Sequence, residues 1–161
     1  MIVWRICARR HAGQAFGGRG AREYGGRWNH PGVALVYTAG TLSLGALELF
    51  VNLDPDDAPG DLVAIGAAIP ERIRLLHVRE SELSGDWRAY PAPSVLQDIG
   101  SAWVTSGATA VLAVPSAIIP QEANYLLNPA HEDFSQIKIE RPEAFQFDPR
   151  MWRKRRSAKR G

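Results

Sequence analysis

The sequence predicts an α+β domain in which short strands outnumber helices, and three observations carry that expectation. Stretches 2–7, 33–38, 62–69, 73–78, 109–114, 137–140 and 145–147 are short, apolar and often β-branched or aromatic, with Gly, Pro or Asp punctuating them. Only residues 41–53 and 95–106 carry helical spacing. The 161 residues, 45% apolar and 22% charged, suffice for one hydrophobic core and not comfortably for two.

Taken in order, residues 2–7 alternate well enough for a first strand. Residues 9–26, rich in Gly, Arg and Ala without periodicity, read as a loop. After GGRWN, the stretch VALVYT is a strand bounded by Pro31-Gly32 and Gly40. Thr41 is placed to N-cap a helix running to about Leu53, where an acidic, proline-containing cluster stops it. Residues 62–69 and 73–78 read as two strands joined around Pro70-Glu71, as a hairpin or a bend. Residues 80–93 are irregular, with Trp87 as their anchor. A helix over 95–106 ends at Gly107, and the strongly apolar 109–114 is the expected centre of the sheet. Residues 118–131 read as turn-rich, and two short closing strands precede Asp148-Pro149.

Charge is unevenly distributed. Of 19 basic residues, six (Arg153, Lys154, Arg155, Arg156, Lys159 and Arg160) lie in the last nine positions, so thirteen face seventeen acidic residues in the remainder, a net of −4 on the body. A basic tail on an acidic body reads as solvated, with no aromatic-interleaved nucleic-acid motif beside it. The single cysteine, Cys7, permits no intramolecular disulfide, which favours a reducing compartment, the cytoplasm. Arg5, Arg9 and Arg10 interrupt any signal-like start. The uncharged run 99–121 is broken by Gly100, Gly107, Pro115 and Pro120, so no membrane span is expected.

The chemical anomaly is Glu48, a carboxylate among Leu44, Leu47, Leu49, Phe50 and Val51. An unpaired buried charge is costly. On a helical wheel Thr41, Gly45, Glu48 and Asn52 share one stripe, the only polar line on an otherwise apolar helix. The histidines His11, His30, His77 and His131 have no ligand spacing, so no metal is expected. Ser116 in VPSA lacks a nucleophile elbow, and no phosphate-binding GxxxxGK[ST] loop is present. Arginine, tyrosine, glutamate, serine and asparagine remain, a set suited to an anionic ligand with a polarised sugar bond. Each has a plainer alternative: Arg27 as the counter-ion of Glu48, Tyr37 as a core tyrosine, Ser116 as a strand-end hydroxyl bonded to backbone.

The succession GGRWN, VYTA, LELFV, AVLAVPSAIIPQEANYLLNPAHEDF and FQFDPR resembles the RES-domain family, the toxin half of bacterial RES and Xre type toxin-antitoxin pairs. The resemblance runs from Trp4 to Arg150, giving a domain over 1–150 and a basic tail over 151–161. Matched motif by motif, the family's arginine falls on Arg27, its glutamate on Glu48, its serine on Ser116 and its active-site tyrosine on Tyr37. Asn124, Asn128 and His131 enter with the NYLLNPAH segment.

The resemblance implies a mixed, mostly antiparallel two-sheet core similar to that of ADP-ribosyltransferases, with a few flanking helices. It implies NAD as substrate rather than as a cofactor. It implies degradation of NAD by hydrolysis or phosphorolysis, or alternatively transfer of ADP-ribose to a protein. A second carboxylate two positions before the catalytic one often activates the acceptor in such transferases; here that position is Ala46. A cognate Xre-like helix-turn-helix antitoxin that blocks the pocket, DNA contact through that antitoxin, and a homodimer within the complex are implied as well. A non-catalytic binding module, with Glu48 in a structural ion pair, stands as a third reading.

Overall fold

The computed structural model describes residues 1–53 and 60–152. The acidic connection expected at 54–61 and the basic tail therefore lie largely outside the described residues. Eight strands form one sheet: β1 (Ile2–Ala8), β2 (Val36–Ala39), β3 (Leu62–Ala68), β4 (Leu75–His77), β5 (Val111–Pro115), β6 (Ala123–Leu127), β7 (Lys138–Ile139) and β8 (Glu143–Phe145). Their order is β4-β5-β6-β2-β1-β3-β7, with β8 also on β3. Every pairing is antiparallel except β4 with β5. The helices are α1 (Arg19–Tyr24), α2 (Leu42–Phe50) and α3 (Ser94–Ser106). None of the described helices is long and apolar enough to cross a membrane.

The sheet is two halves joined at a narrow seam. β1 and β3 pair over seven positions, from Ile2 opposite Ala68 to Ala8 opposite Leu62, whereas β1 meets β2 only at Trp4 opposite Ala39. The expected two-sheet core is therefore corrected to one sheet, because β1 still pairs with β2 at this seam and keeps the halves continuous. Paired residues share a face, so Trp4, Ala39, Asn124 and Val114 lie on one side. On that side α3 covers Leu112, Val114 and Leu126, while α2 covers Ile6, Leu62 and Ala64. The other face is closed by Phe16, Ile73 and Ile137 over Val3, Val36, Val63, Ile65, Val111 and Leu127.

Several boundaries differ from the sequence reading, each for a local reason. The segment 9–26 contains a 3-10 turn (Arg9–Gln14) and α1 rather than loop alone; six residues are too few for helical periodicity to show. β6 runs through the segment read as turn-rich, because β2 and β5 both pair with it and impose an extended backbone on ANYLL. β3 and β4 form no hairpin: β4 sits on the opposite edge, parallel to β5. β5 is one strand in from that edge, and β2 is central. The strong apolarity of β5 reports cover on both faces, not a central position. Trp87 does anchor its loop, at 3% exposure.

Helix α2 starts as expected: the Thr41 hydroxyl accepts the Leu44 N–H at 3.1 Å. It stops at Phe50, earlier than expected, and Asn52 Nδ2 donates to the Glu48 carbonyl at 2.8 Å. Only Leu44 is fully buried, so α2 is a half-covered helix rather than the buried one its composition suggests.

Candidate active site

The GGRWN turn is held from both sides by residues that leave no room for error. Gly26 pairs with Asn29 in a tight bridge, its N–H donating to the Asn29 carbonyl at 3.0 Å. A side chain at Gly26 would collide with the Tyr37 hydroxyl, and one at Gly100 of α3 would collide with the Trp28 carbonyl. From α3, Gln97 Nε2 donates to the carbonyls of Gly26 (3.0 Å) and Asn29 (3.2 Å), and the Ser101 hydroxyl accepts the His30 N–H. Asn29 is fully buried. Its Nδ2 lies within 2.8–3.0 Å of the carbonyls of Ala21, His30 and Val33, and its Oδ1 accepts the Tyr37 hydroxyl at 2.8 Å. Asn29 was present in the motif but not read as its organiser; a short polar side chain beside an invasive glycine turn is the available signal.

Tyr37, at the seam, also accepts the Trp28 N–H at 2.9 Å. Burial pushes its phenol up to about 12, against the opposing pull of the Trp28 N–H and the Arg27 charge. The hydroxyl is thus neutral and committed to the turn. Its ring lines a cavity of about 140 Å³ together with Arg5, Gln14, Gly18 and Arg19.

Arg27 does not pair directly with Glu48. Its Nη1 donates to the Trp87 carbonyl at 2.7 Å and its Nη2 to the Ala89 carbonyl at 3.2 Å, holding the 87–89 loop. Burial lowers its pKa, with Glu48 and Tyr37 opposing that shift through their fields. Two of five guanidinium N–H groups are so used, and three remain for a ligand.

A second buried arginine lies on the other face of the sheet, opposite Ile65, while its neighbour Trp4 shares the face of Ala39 and Asn124. Arg5 on β1 donates from Nη1 to the Tyr37 carbonyl at 2.9 Å, across the seam where β1 and β2 part. Its Nε is buried without a hydrogen-bond partner, and burial lowers its pKa. The sequence reading passed over Arg5, although a lone charge inside IVWRICA is the same kind of anomaly that singled out Glu48.

Glu48 is half-buried rather than stranded. Its Oε1 accepts the Ser116 hydroxyl at 2.8 Å and Asn124 Nδ2 at 2.5 Å; among the described residues Oε2 takes no donor. Ser116 is fully buried, and its oxygen also accepts the N–H groups of Ile118 and Ile119, each at 3.1 Å. Every lone pair and the proton of this hydroxyl are therefore engaged in aiming Glu48. Asn124 Oδ1 is buried and unpartnered. The Nδ2 contact to a carboxylate fixes which way this amide points, since a flip would set two oxygens against each other.

Two expected residues lie elsewhere. Asn128 follows the far end of β6 from Asn124; it is buried, its Oδ1 accepts the Ala130 N–H, and its Nδ2 reaches the Val104 carbonyl. His131 caps the following 3-10 turn, with Nδ1 accepting the Asp133 N–H at 3.1 Å. Asn128 lies four positions beyond Asn124, roughly 13 Å of chain, so Asn128 and His131 shape the turn after β6 and neither joins the Glu48 cluster.

A mainly antiparallel sheet parted at a seam, with a carboxylate aimed by Ser116 and Asn124 and Arg27 within reach of its field, defines an α+β domain and its candidate site. The RES domain model matches residues 2–148, and the chain belongs to that family. It is 36% identical to "Toxin Res" of Yersinia enterocolitica, covering 94% of this chain and 99% of that protein. It is 40% identical to "Prs ADP-ribosylating toxin" of a Sphingobium strain, covering 94% and 96%. The crystal structure of the M. tuberculosis MbcT-MbcA toxin-antitoxin complex contains a chain of like fold, with a TM-score of 0.74 at 16% identity over 94% of this chain and 86% of that one.

Proposed function

We propose that this chain is the toxin of a toxin-antitoxin pair and that it consumes NAD by cleaving the bond between nicotinamide and ribose. One observation carries the reading. Beside Glu48 the buried Asn124 Oδ1 acceptor has no partner among the described residues, and Arg27, which feels the Glu48 charge, uses only two of its guanidinium N–H groups. A free donor on a cation calls for an anionic oxygen, and a buried acceptor beside a carboxylate calls for a hydroxyl. A diphosphate joined to ribose offers both. The names of the relatives, toxin and ADP-ribosylating toxin, support the same reading.

In this proposal the free N–H groups of Arg27 hold the diphosphate. Asn124 Oδ1 accepts a ribose hydroxyl, Tyr37 stacks beside nicotinamide, and Glu48, aimed by Ser116, faces the anomeric carbon. The N-glycosidic bond breaks with its electron pair passing to the pyridinium nitrogen, so nicotinamide leaves neutral and positive charge develops on ribose. A fixed carboxylate in a partly desolvated cleft stabilises that charge more than water does. Water or phosphate then attacks the anomeric carbon. Asn128 and His131 serve this reading only by holding the end of β6.

Transfer of ADP-ribose to a protein is the second reading, favoured by the ADP-ribosylating name of the 40% identical relative. The proposal further holds that the toxin works in the cytoplasm, that a cognate Xre-like antitoxin blocks the cleft and carries any DNA contact, and that the complex contains a homodimer of this chain. Incubation of the purified protein with NAD and phosphate, read by NMR, tests the reading. Free nicotinamide with ADP-ribose or its phosphate supports degradation, label on a discrete protein in lysate supports transfer, and intact NAD in both refutes it.

A further inference from the structure

Glu122 is a second carboxylate tied to the elements that hold Glu48. It immediately precedes β6, and strand alternation carries its side chain to the face of Asn124, two residues on. Its Oε2 accepts the Thr41 hydroxyl at 3.0 Å, at the N-terminus of the helix that carries Glu48. Its carbonyl accepts the N–H of Ser116 at 3.0 Å, and Ser116 in turn holds Glu48. The same two neighbours, α2 and the 116–124 segment, therefore fix both carboxylates. The Cα atoms of residues 122 and 124 lie about 7 Å apart along the strand, and Gly45 places no side chain on the α2 stripe between Thr41 and Glu48. Glu122 is half-exposed, so solvent reaches its carboxylate.

We propose that Glu122 activates the acceptor, and that the acceptor is water or a hydroxyl rather than inorganic phosphate; this rests on the NAD-cleaving reading above. As the bond to nicotinamide breaks, the acceptor oxygen forms its bond to the anomeric carbon and loses its proton to the Glu122 carboxylate, which releases it to solvent. The balance is NAD⁺ and water giving nicotinamide, ADP-ribose and one proton. A carboxylate suits a neutral acceptor that has a proton to give up, and repels an anionic one that needs no base. Glu122 thereby supplies the role that Ala46, two positions before Glu48, has no group to fill.

Glu122→Gln is the informative variant, because its amide oxygen keeps the hydrogen bond from Thr41 while losing basicity. With purified protein, NAD, phosphate and, in a parallel reaction, sodium azide, the expected results are ADP-ribose as the wild-type product, a fall in kcat of about 100-fold in the variant at little change in KM, and recovery of nicotinamide release by azide with formation of ADP-ribosyl azide. Azide needs no base, so recovery is a result that a merely structural role does not produce. Wild-type rates in Glu122→Gln, a loss that azide leaves unchanged, or ADP-ribose phosphate as the wild-type product each overturn the inference. Absence of nicotinamide release from the wild-type protein overturns instead the reading on which it rests.

Discussion

Ser116 donates its hydroxyl proton to Glu48 Oε1 across 2.8 Å, joining the end of β5 to the middle of α2 over a separation of 68 residues. The relationship assigns the serine a role that its sequence context left open: it aims the carboxylate, while two backbone N–H groups fix the hydroxyl's own direction. Ser116→Ala removes a hydrogen bond to a charged group, worth roughly 1.5–3 kcal/mol. Nicotinamide release is expected to fall by about 10- to 100-fold, with the larger effect on kcat. Steady-state kinetics check this, and unchanged kinetics contradict it.

Asn29 is the internal strut of the GGRWN turn. Asn29→Ala leaves three carbonyls and the Tyr37 hydroxyl without this partner, and a buried polar group so left costs about 1–3 kcal/mol. Urea unfolding is expected to show a loss of at least about 2 kcal/mol, on the same scale. Since Arg27 rides on this turn, KM for NAD should rise as well.

In the proposed reading Arg27 holds the diphosphate. Arg27→Lys keeps the charge but replaces a planar donor array with a point charge. Raised KM by about tenfold, on the scale of one lost charge-assisted bond, is the expected outcome, with kcat much less affected. Because Arg27 also holds the Trp87 and Ala89 carbonyls, the variant should additionally expose the 87–89 loop to limited proteolysis.

Tyr37 gives the fold an alkaline limit. Its folded pKa is pushed up to about 12, above the usual value near 10 for an unfolded tyrosine. The folded state therefore holds this proton more tightly than the unfolded one. The associated stability is complete below about pH 10 and is lost as pH rises through about 12, amounting to roughly 2–3 kcal/mol. Denaturant unfolding across that range, compared with Tyr37→Phe, should show the slope from this residue only in the wild type.

Much of this site was legible in the sequence where a residue contradicted its surroundings. Glu48 in LELFV was such a contradiction, and the structure supplies its two donors, Ser116 and Asn124. Arg5 in IVWRICA was an equal contradiction and passed unread, because a strand charge can point to solvent at no cost and only the distant packing of the 9–26 segment on its face buries it. Asn128 and His131 travelled with Asn124 in one motif, yet strand geometry carries them to the opposite end of β6. Motif proximity is not spatial proximity when the motif is a strand. The fold class followed from local patterns, whereas the place of β4 beside β5 depends on chain-distant pairing that no local pattern encodes.

The central claim is that Glu48 makes this site an NAD-cleaving one, and Glu48→Gln tests it most directly. The glutamine keeps an acceptor oxygen for Ser116 and Asn124, so the local structure is retained while the negative charge is lost. Intracellular NAD measured after induced expression is expected to collapse with the wild-type chain and to stay at the uninduced level with Glu48→Gln, at equal protein abundance. Equal depletion of NAD by the two chains contradicts the account.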